Sequence, residues 1–262
     1  MGSAILSGLL KSGFNPDNVS VSTKSTASAE RLADELGVLS FAMENGEDAN
    51  QMAVAGADVV VIAVKPAYVI QTLADVADSL DDDALVISVA AGITTKAMEK
   101  TLPDDVAVVR AMPNTPAIVG SAVTGIAAGS RADKSAIETA VQLFQTVGTS
   151  IVLDEAKIDA LSTISGSGPA YVFYLIEQLT LVAKKMGFSD AEATQLVNET
   201  FLGSAQLLIE SGKSPQELRK QVTSPNGTTE KAITVMSDAK LEAMFTEATA
   251  AALARAKELA GE

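Results

Sequence analysis

The residues of this chain best equipped for chemistry are hydroxyls, amides and lysines gathered at turns. Thr223-Ser224-Pro225-Asn226-Gly227-Thr228-Thr229 is a turn that runs into Glu230 and a helical pattern. A helix start leaves backbone N–H groups unpaired, and threonines there serve as hydroxyl caps. Such an end can hold a carboxylate without a basic side chain, although capping alone also accounts for Thr228 and Thr229. Ser165-Gly166-Ser167-Gly168-Pro169-Ala170-Tyr171 interrupts a second helical pattern. The plainer reading there is a tight helix crossing that Gly and Ser permit.

Four further groups sit where apolar runs end. Ala63-Val64-Lys65-Pro66 follows Asp58 to Ala63, and Val89-Ala90-Ala91-Gly92 follows Leu85 to Val89. Open α/β sheets bind ligands at the carboxyl ends of their strands. Lys65 could reach phosphate or ribose from there, and small residues would let a flat ring approach the backbone. Arg110-Ala111-Met112-Pro113-Asn114-Thr115-Pro116 is a rigid loop with a proline on each side of Asn114-Thr115, more consistent with a shaped pocket than a spacer. After Val21 comes Ser22-Thr23-Lys24-Ser25. An NAD site carries Asp or Glu at that place, whereas hydroxyls and a cation suit a ribose 2′-phosphate. A solvated turn is the alternative.

Composition narrows the chemistry. The 262 residues contain no His and no Cys, which excludes His bases, Ser-His-Asp triads, disulfides and thiolate metal sites. With 19 Lys+Arg against 33 Asp+Glu, the net charge of −14 argues against nucleic acid or an anionic membrane as partner. A 47% hydrophobic content is that of a globular protein able to bury a core. No targeting pattern or bilayer-length apolar run is visible, so a cytoplasmic protein is expected. Any reaction must use hydroxyls, carboxylates, Lys, backbone amides or a borrowed cofactor.

The elements that position these groups alternate in the first part of the chain. Helical spacing over residues 2–12 gives way to a short strand over 19–22, a helix over 27–36 and a strand over 58–63. A helix over 68–80 leads to strands at 85–89, 106–109, 123–128 and 150–153, with helices over 95–100 and 134–147 between them. That alternation predicts a parallel sheet covered on both faces. Beyond residue 154 strand signals vanish and helical spacing continues over 158–186, 190–211, 215–221, 229–236 and 241–262. Two domains are therefore expected, an α/β domain over 1–154 and an all-α one over 155–262. Ala243, Phe245, Ala248, Ala251 and Ala252 of the helical part predict an apolar face that seeks a partner.

A dinucleotide fold opens strand–turn–helix with Gly-x-Gly-x-x-Gly in the turn. This chain opens at the helix, and Met1-Gly2 can supply only the last two positions of that fingerprint. The fold expected is therefore a Rossmann-type domain lacking its first strand.

Taken together, the 223–229 and 165–171 motifs, with Ala63–Pro66 and Met112–Pro116, resemble pyrroline-5-carboxylate reductase along nearly the whole chain. The resemblance implies a Rossmann domain, a helical domain that interlocks with a second copy, and NAD(P)H-dependent reduction of (S)-1-pyrroline-5-carboxylate to L-proline. NADPH is the implied cofactor, with NADH as the other donor. It places Met1, Gly2, Thr23, Lys24, Asn50, Ala63, Val64, Lys65, Pro66, Val89, Ala90 and Ala91 at the cofactor, with Gln221 near the nicotinamide ribose. Thr229, the Thr228 amide and Glu155 fall to the substrate, Thr229 being the catalytic residue. Two positions depart from the family pattern: Asn226 stands where Gly is usual, and Gln221 where Asn is frequent.

Measured against that family, the opening reads as a truncated or mis-started reductase, expected to bind dinucleotide weakly and to be less stable. Two rival readings are a reductase of the β-hydroxyacid dehydrogenase type and a dinucleotide-binding regulatory protein without activity. The former carries a catalytic Lys on its long interdomain helix, where this chain has Ser165–Pro169, with Lys184 and Lys185 too far along.

Overall fold

The computed structural model describes residues 1–46 and 48–260. Contacts divide the chain into two compact units, one made of Met1–Ser167 with the segment from Leu253 onward, the other of Gly168–Ala252. The strand pattern ends at residue 152, and contacts carry the first unit on to Ser167. The reason is local. Ile158 is fully buried, and Leu161 fills the space beside Gly125, so the short helix that follows the last strand packs on the sheet.

The first unit runs α1 (Gly2–Lys11), β1 (Ser20–Thr23), α2 (Thr26–Leu36), β2 (Leu39–Ala42), α3 (Ala49–Val54), β3 (Val59–Ile62) and α4 (Val69–Val76). It continues β4 (Leu85–Ser88), α5 (Thr95–Glu99), β5 (Ala107–Met112), β6 (Ala122–Ala128), α6 (Lys134–Gln145), β7 (Gly148–Val152) and α7 (Ile158–Leu161). Strands β3 to β7 lie side by side in sequence order. Alternate residues feed opposite faces, as a pleated strand requires. Val86 and Val108 join Val69, Leu73 and Val76 of α4 and Met98 of α5 on one side. Leu85, Ile87 and Val109 meet Ile5 of α1 and Phe144 of α6 on the other. Both faces are thus covered, as the unbroken apolar runs predicted.

Three features differ from the sequence expectation. The sheet is mixed: β6 runs antiparallel to β5, because only the 3₁₀ turn Thr115–Val119 connects them and no crossover helix returns the chain. Strand β2 and helix α3 were not foreseen, being four and six residues long with no clear apolar period. Finally, β1 and β2 form a two-stranded sheet of their own. No described strand joins β1 to β3. Helix α1 reaches across the division, with Ile5 in the core of the larger sheet and Leu6 packed with Leu32 and Val38 beside β1 and β2.

The second unit is helical: α8 (Gly168–Lys185), α9 (Asp190–Ser211), α10 (Pro215–Gln221), α11 (Thr228–Asp238) and most of α12 (Leu241–Ala260). Ser189 and Ser214 open α9 and α10 with reciprocal capping boxes to Glu192 and Glu217. Among the described residues no helix is long and apolar enough to cross a membrane.

Candidate functional site

In the first unit the candidate cofactor residues sit at the ends of β1, β3 and β4, at the start of α1 and in α3. Gly2, at the first turn of α1, lies so close to Ala63 after β3 that an added Cβ would stand 3.0 Å from the Ala63 Cβ. Met1 is the N-cap of α1 and offers no side-chain cap. The first backbone amides bonded inward are those of Ala4 and Ile5, which share the Met1 carbonyl, so those of Gly2 and Ser3 point free. At the end of β1, Ser22 donates to Asn50 Oδ1 at 2.7 Å, and Asn50 of α3 is buried. Thr23 donates to the Ser25 carbonyl, and Ser25 caps α2. Lys24 is exposed and has no ion-pair partner among the described residues.

Between these ends, residues 63–68 leave β3 fully on the surface, Val64 and Tyr68 included. Beside them Val89 donates to the Ile62 carbonyl at 3.0 Å, and Ala90 is buried against the sheet while Ala91 is exposed. An unpaired cation among hydroxyls, two free helix amides and a strip of small exposed residues make a surface suited to a long, anionic, flat-ended ligand. The structure therefore brings Gly2 beside Ala63 and Val89 beside the end of β3, while Asn50 meets Ser22 at the end of β1, next to Thr23 and Lys24 in sequence.

Glu155, which the resemblance places at the substrate, is held by residues of its own unit. Its carboxylate accepts from the Thr95 N–H and the Thr95 hydroxyl, both at 2.7 Å, and lies 3.6 Å from the Arg110 guanidinium. Arg110 also holds Asp159 at 2.6 Å and is almost wholly buried. Both oxygens of the residue that the resemblance places at the substrate are thus engaged in an interior network. A charged residue inside the apolar run Val106–Met112 was the signal for it. Asn114 is likewise committed: it donates to the Ser165 carbonyl and accepts from the Val123 N–H. The proline-flanked loop therefore fastens the turn at 162–166 to β6.

That turn is a π-helical one, Ser162–Gly166, and it corrects the expectation of a helix crossing. An added Cβ on Gly168 would meet open space, while Gly166 is tight only against Ser162 of its own turn.

In the second unit, the 223–229 turn leads into α11. The expected hydroxyl caps are absent: Gly227 is the N-cap, and no side chain closes the helix. Asn226 has φ 58°, a left-handed conformation that Asn tolerates better than most residues, which explains how it replaces Gly. Its N–H is taken by Glu230 at 2.9 Å. Lys231 is the first residue bonded back to Gly227, so the amides of Thr228, Thr229 and Glu230 stay open. Thr229 is half-buried, and its hydroxyl has no partner among the described side-chain bonds, whereas Thr223 and Thr234 each donate to the carbonyl four residues back. Gln221, the last residue of α10, is exposed.

Comparison with known proteins agrees with both halves. Residues 155–259 match the family described as pyrroline-5-carboxylate reductase dimerisation, and residues 1–92 match NADP oxidoreductase coenzyme F420-dependent. The pyrroline-5-carboxylate reductase of Corynebacterium melassecola is 36% identical over 99% of this chain and 95% of its own. That of Pseudomonas aeruginosa is 39% identical over 99% and 93%. Among solved structures, the Coxiella burnetii pyrroline-5-carboxylate reductase superposes with a TM-score of 0.92 at 37% identity, covering 98% of this chain and 94% of that one. The Plasmodium falciparum pyrroline carboxylate reductase, solved with NADP bound, shares the fold at a TM-score of 0.84 and 24% identity, covering 99% and 94%.

Proposed function

The chain belongs to the pyrroline-5-carboxylate reductase family, and from that premise we propose how its two units serve the reaction. It reduces (S)-1-pyrroline-5-carboxylate to L-proline, the last step of proline synthesis, with NADPH as donor. When bound, the cofactor supplies a hydride to the imine carbon. The residues present suit it: Lys24 and Thr23 would take the 2′-phosphate, and the open amides of Gly2 and Ser3 would take pyrophosphate oxygens. Ala63 to Pro66 and Val89 to Ala91 would line the ribose and the flat ring, with Asn50 supporting the Ser22 end.

The substrate is a small ring carrying one carboxylate. In our reading the open amides of Thr228, Thr229 and Glu230 receive it, and the Thr229 hydroxyl orients the ring nitrogen. A protonated imine is already electrophilic, so the protein must chiefly hold and orient, at a near-attack separation of roughly 3–3.5 Å. That demand fits a chain without His or Cys. Gln221 ends α10, ahead of the turn that leads into α11.

The observation that carries this reading is the start of α11, uncapped by any side chain and fitted with an uncommitted hydroxyl. Nothing favours the hydroxyacid alternative: Lys184 is tied to Asp190 at 3.0 Å. Self-association follows from the dimerisation match, and exposed Phe173, Tyr174, Leu179 and Met186 of the helical unit supply apolar surface for it. We place the enzyme in the cytoplasm. The test is NADPH oxidation by the purified chain with pyrroline-5-carboxylate beside a β-hydroxyacid control in reverse with NADP. Turnover of the imine alone is expected; turnover of the hydroxyacid alone would overturn the assignment.

A further inference from the structure

We infer that Glu155 is a positioning residue for the cofactor-facing loop 89–94, acting through Thr95 and held in place by the buried Arg110. The inference rests on the reading of that loop as the nicotinamide wall. The loop leaves β4 at one fixed end, where Val89 donates to the Ile62 carbonyl of β3 at 3.0 Å and the Ala90 N–H reaches the Ser88 hydroxyl at 3.3 Å. Its middle turns at Gly92, with φ 75°. Its other end is Thr94, which caps α5 by accepting from the Ala97 N–H. One residue on, Thr95 is gripped by both oxygens of Glu155, sixty residues away in sequence.

Glu155 would not stay there unaided, because a carboxylate that is three-quarters buried needs a counter-charge. Arg110 supplies it. This arginine stands on β5 in register with Ser88, the last residue of β4, so the clamp is anchored to the strand beside the loop's own root. Asp159 takes the second guanidinium nitrogen and fixes the direction in which the first one points. The six-residue loop is therefore tied at both ends to neighbouring strands, and its small residues are presented at one height above the sheet. Were the Glu155 end released, α5 would remain capped by Thr94, but the loop could slide relative to β3.

Steady-state kinetics of Glu155→Gln, Thr95→Val and Thr95→Ser test this in the full chain. Glu155→Gln and Thr95→Val are expected to raise KM for NADPH roughly tenfold, leaving KM for pyrroline-5-carboxylate within twofold and saturated kcat largely intact. Thr95→Ser, which restores the hydroxyl, is expected to return KM for NADPH to that of the parent. A purely structural role would lower Tm without this split between the two KM values. A rise confined to the KM for pyrroline-5-carboxylate would make Glu155 a substrate contact and overturn the inference, as would unchanged KM for NADPH. Absence of imine reduction in the parent chain would instead defeat the functional reading beneath it. In that event NADPH titration of the same variants by fluorescence decides the positioning role on its own.

Discussion

Replacing Thr229 with Ala removes one hydroxyl from a place where the fold has no use for it. In the helices of this unit Thr180, Thr194, Thr200, Thr234 and Thr246, and Thr223 just beyond the end of α10, all donate to the carbonyl four residues earlier. Thr229, second residue of α11, has no helical carbonyl behind it, so its hydroxyl is left for another partner. Its loss should leave Tm nearly unchanged, since no intramolecular bond disappears. A hydrogen bond to a charged group contributes about 1.5–3 kcal/mol. Applied to a protonated ring nitrogen orientated in the transition state, that range lowers kcat/KM by roughly tenfold to 150-fold. The assay is initial-rate reduction of pyrroline-5-carboxylate at saturating NADPH, paired with NADPH titration of the same variant by fluorescence. Thr229→Ser should recover most of the rate. Equal losses in turnover and in NADPH affinity, or no recovery with Ser, would refute the role given to the hydroxyl.

Lys24→Met should raise KM for NADPH about fivefold, corresponding to about 1 kcal/mol for an exposed charge pair, and leave KM for NADH unchanged; kinetics with both donors check it. Gly148→Ala should be destabilising, because φ is 152° and the new Cβ would run into the backbone of Ala122. About 3 kcal/mol is expected from that overlap, or a Tm lower by roughly 6–12 °C in a calorimetric scan. The carboxyls of Glu192 and Glu217 are held below the ordinary glutamate value by the hydroxyl and then the N–H of Ser189 and Ser214. A depressed folded value means their stabilisation is present above 4.5 and fades as pH falls through the lowered value. Circular dichroism should therefore show Glu192→Gln and Glu217→Gln melting below the parent at pH 7 and converging with it in acid.

How far sequence predicted this structure depends on the range of the interactions involved. Helices α9 and α10 match their expected spans residue for residue, since Ser189 with Glu192, Ser214 with Glu217, and Gly212 mark their ends locally. The central strands were visible because unbroken Val and Ile runs have few other uses. By contrast, β2 is half polar at its centre and only four residues long, and the reversal of β6 hangs on a five-residue turn. The site divides in the same way. Motifs along one stretch of backbone, such as 63–66 and 223–229, could be read directly, though the caps at Thr228 and Thr229 were assigned wrongly because Gly227 already ends the turn. The network of Thr95, Arg110, Glu155 and Asp159 joins residues on four separate segments. Its only local trace was an arginine among valines.

The same absence of His bears on the pH dependence of the reaction. Histidine is the one side chain whose ordinary pKa brings a change of charge between pH 5 and 8. This chain has none, and the two resolved shifts among its described groups carry glutamates away from neutrality. With no histidine to titrate, the inflection of kcat/KM in that window is expected to follow the substrate's imine when NADPH is saturating. Because the protonated imine is the better electrophile, kcat/KM should be level at low pH and fall as pH rises through the imine's own pKa. Thr229→Ala should lower the height of that profile and Glu155→Gln should leave it nearly unchanged, and neither should move its inflection. The profile is measured with each variant against a direct titration of free pyrroline-5-carboxylate. An inflection that shifts with either substitution, or that lies away from the free imine's pKa in all three proteins, would show a protein group titrating in the reaction and would end the argument that holding and orienting suffice.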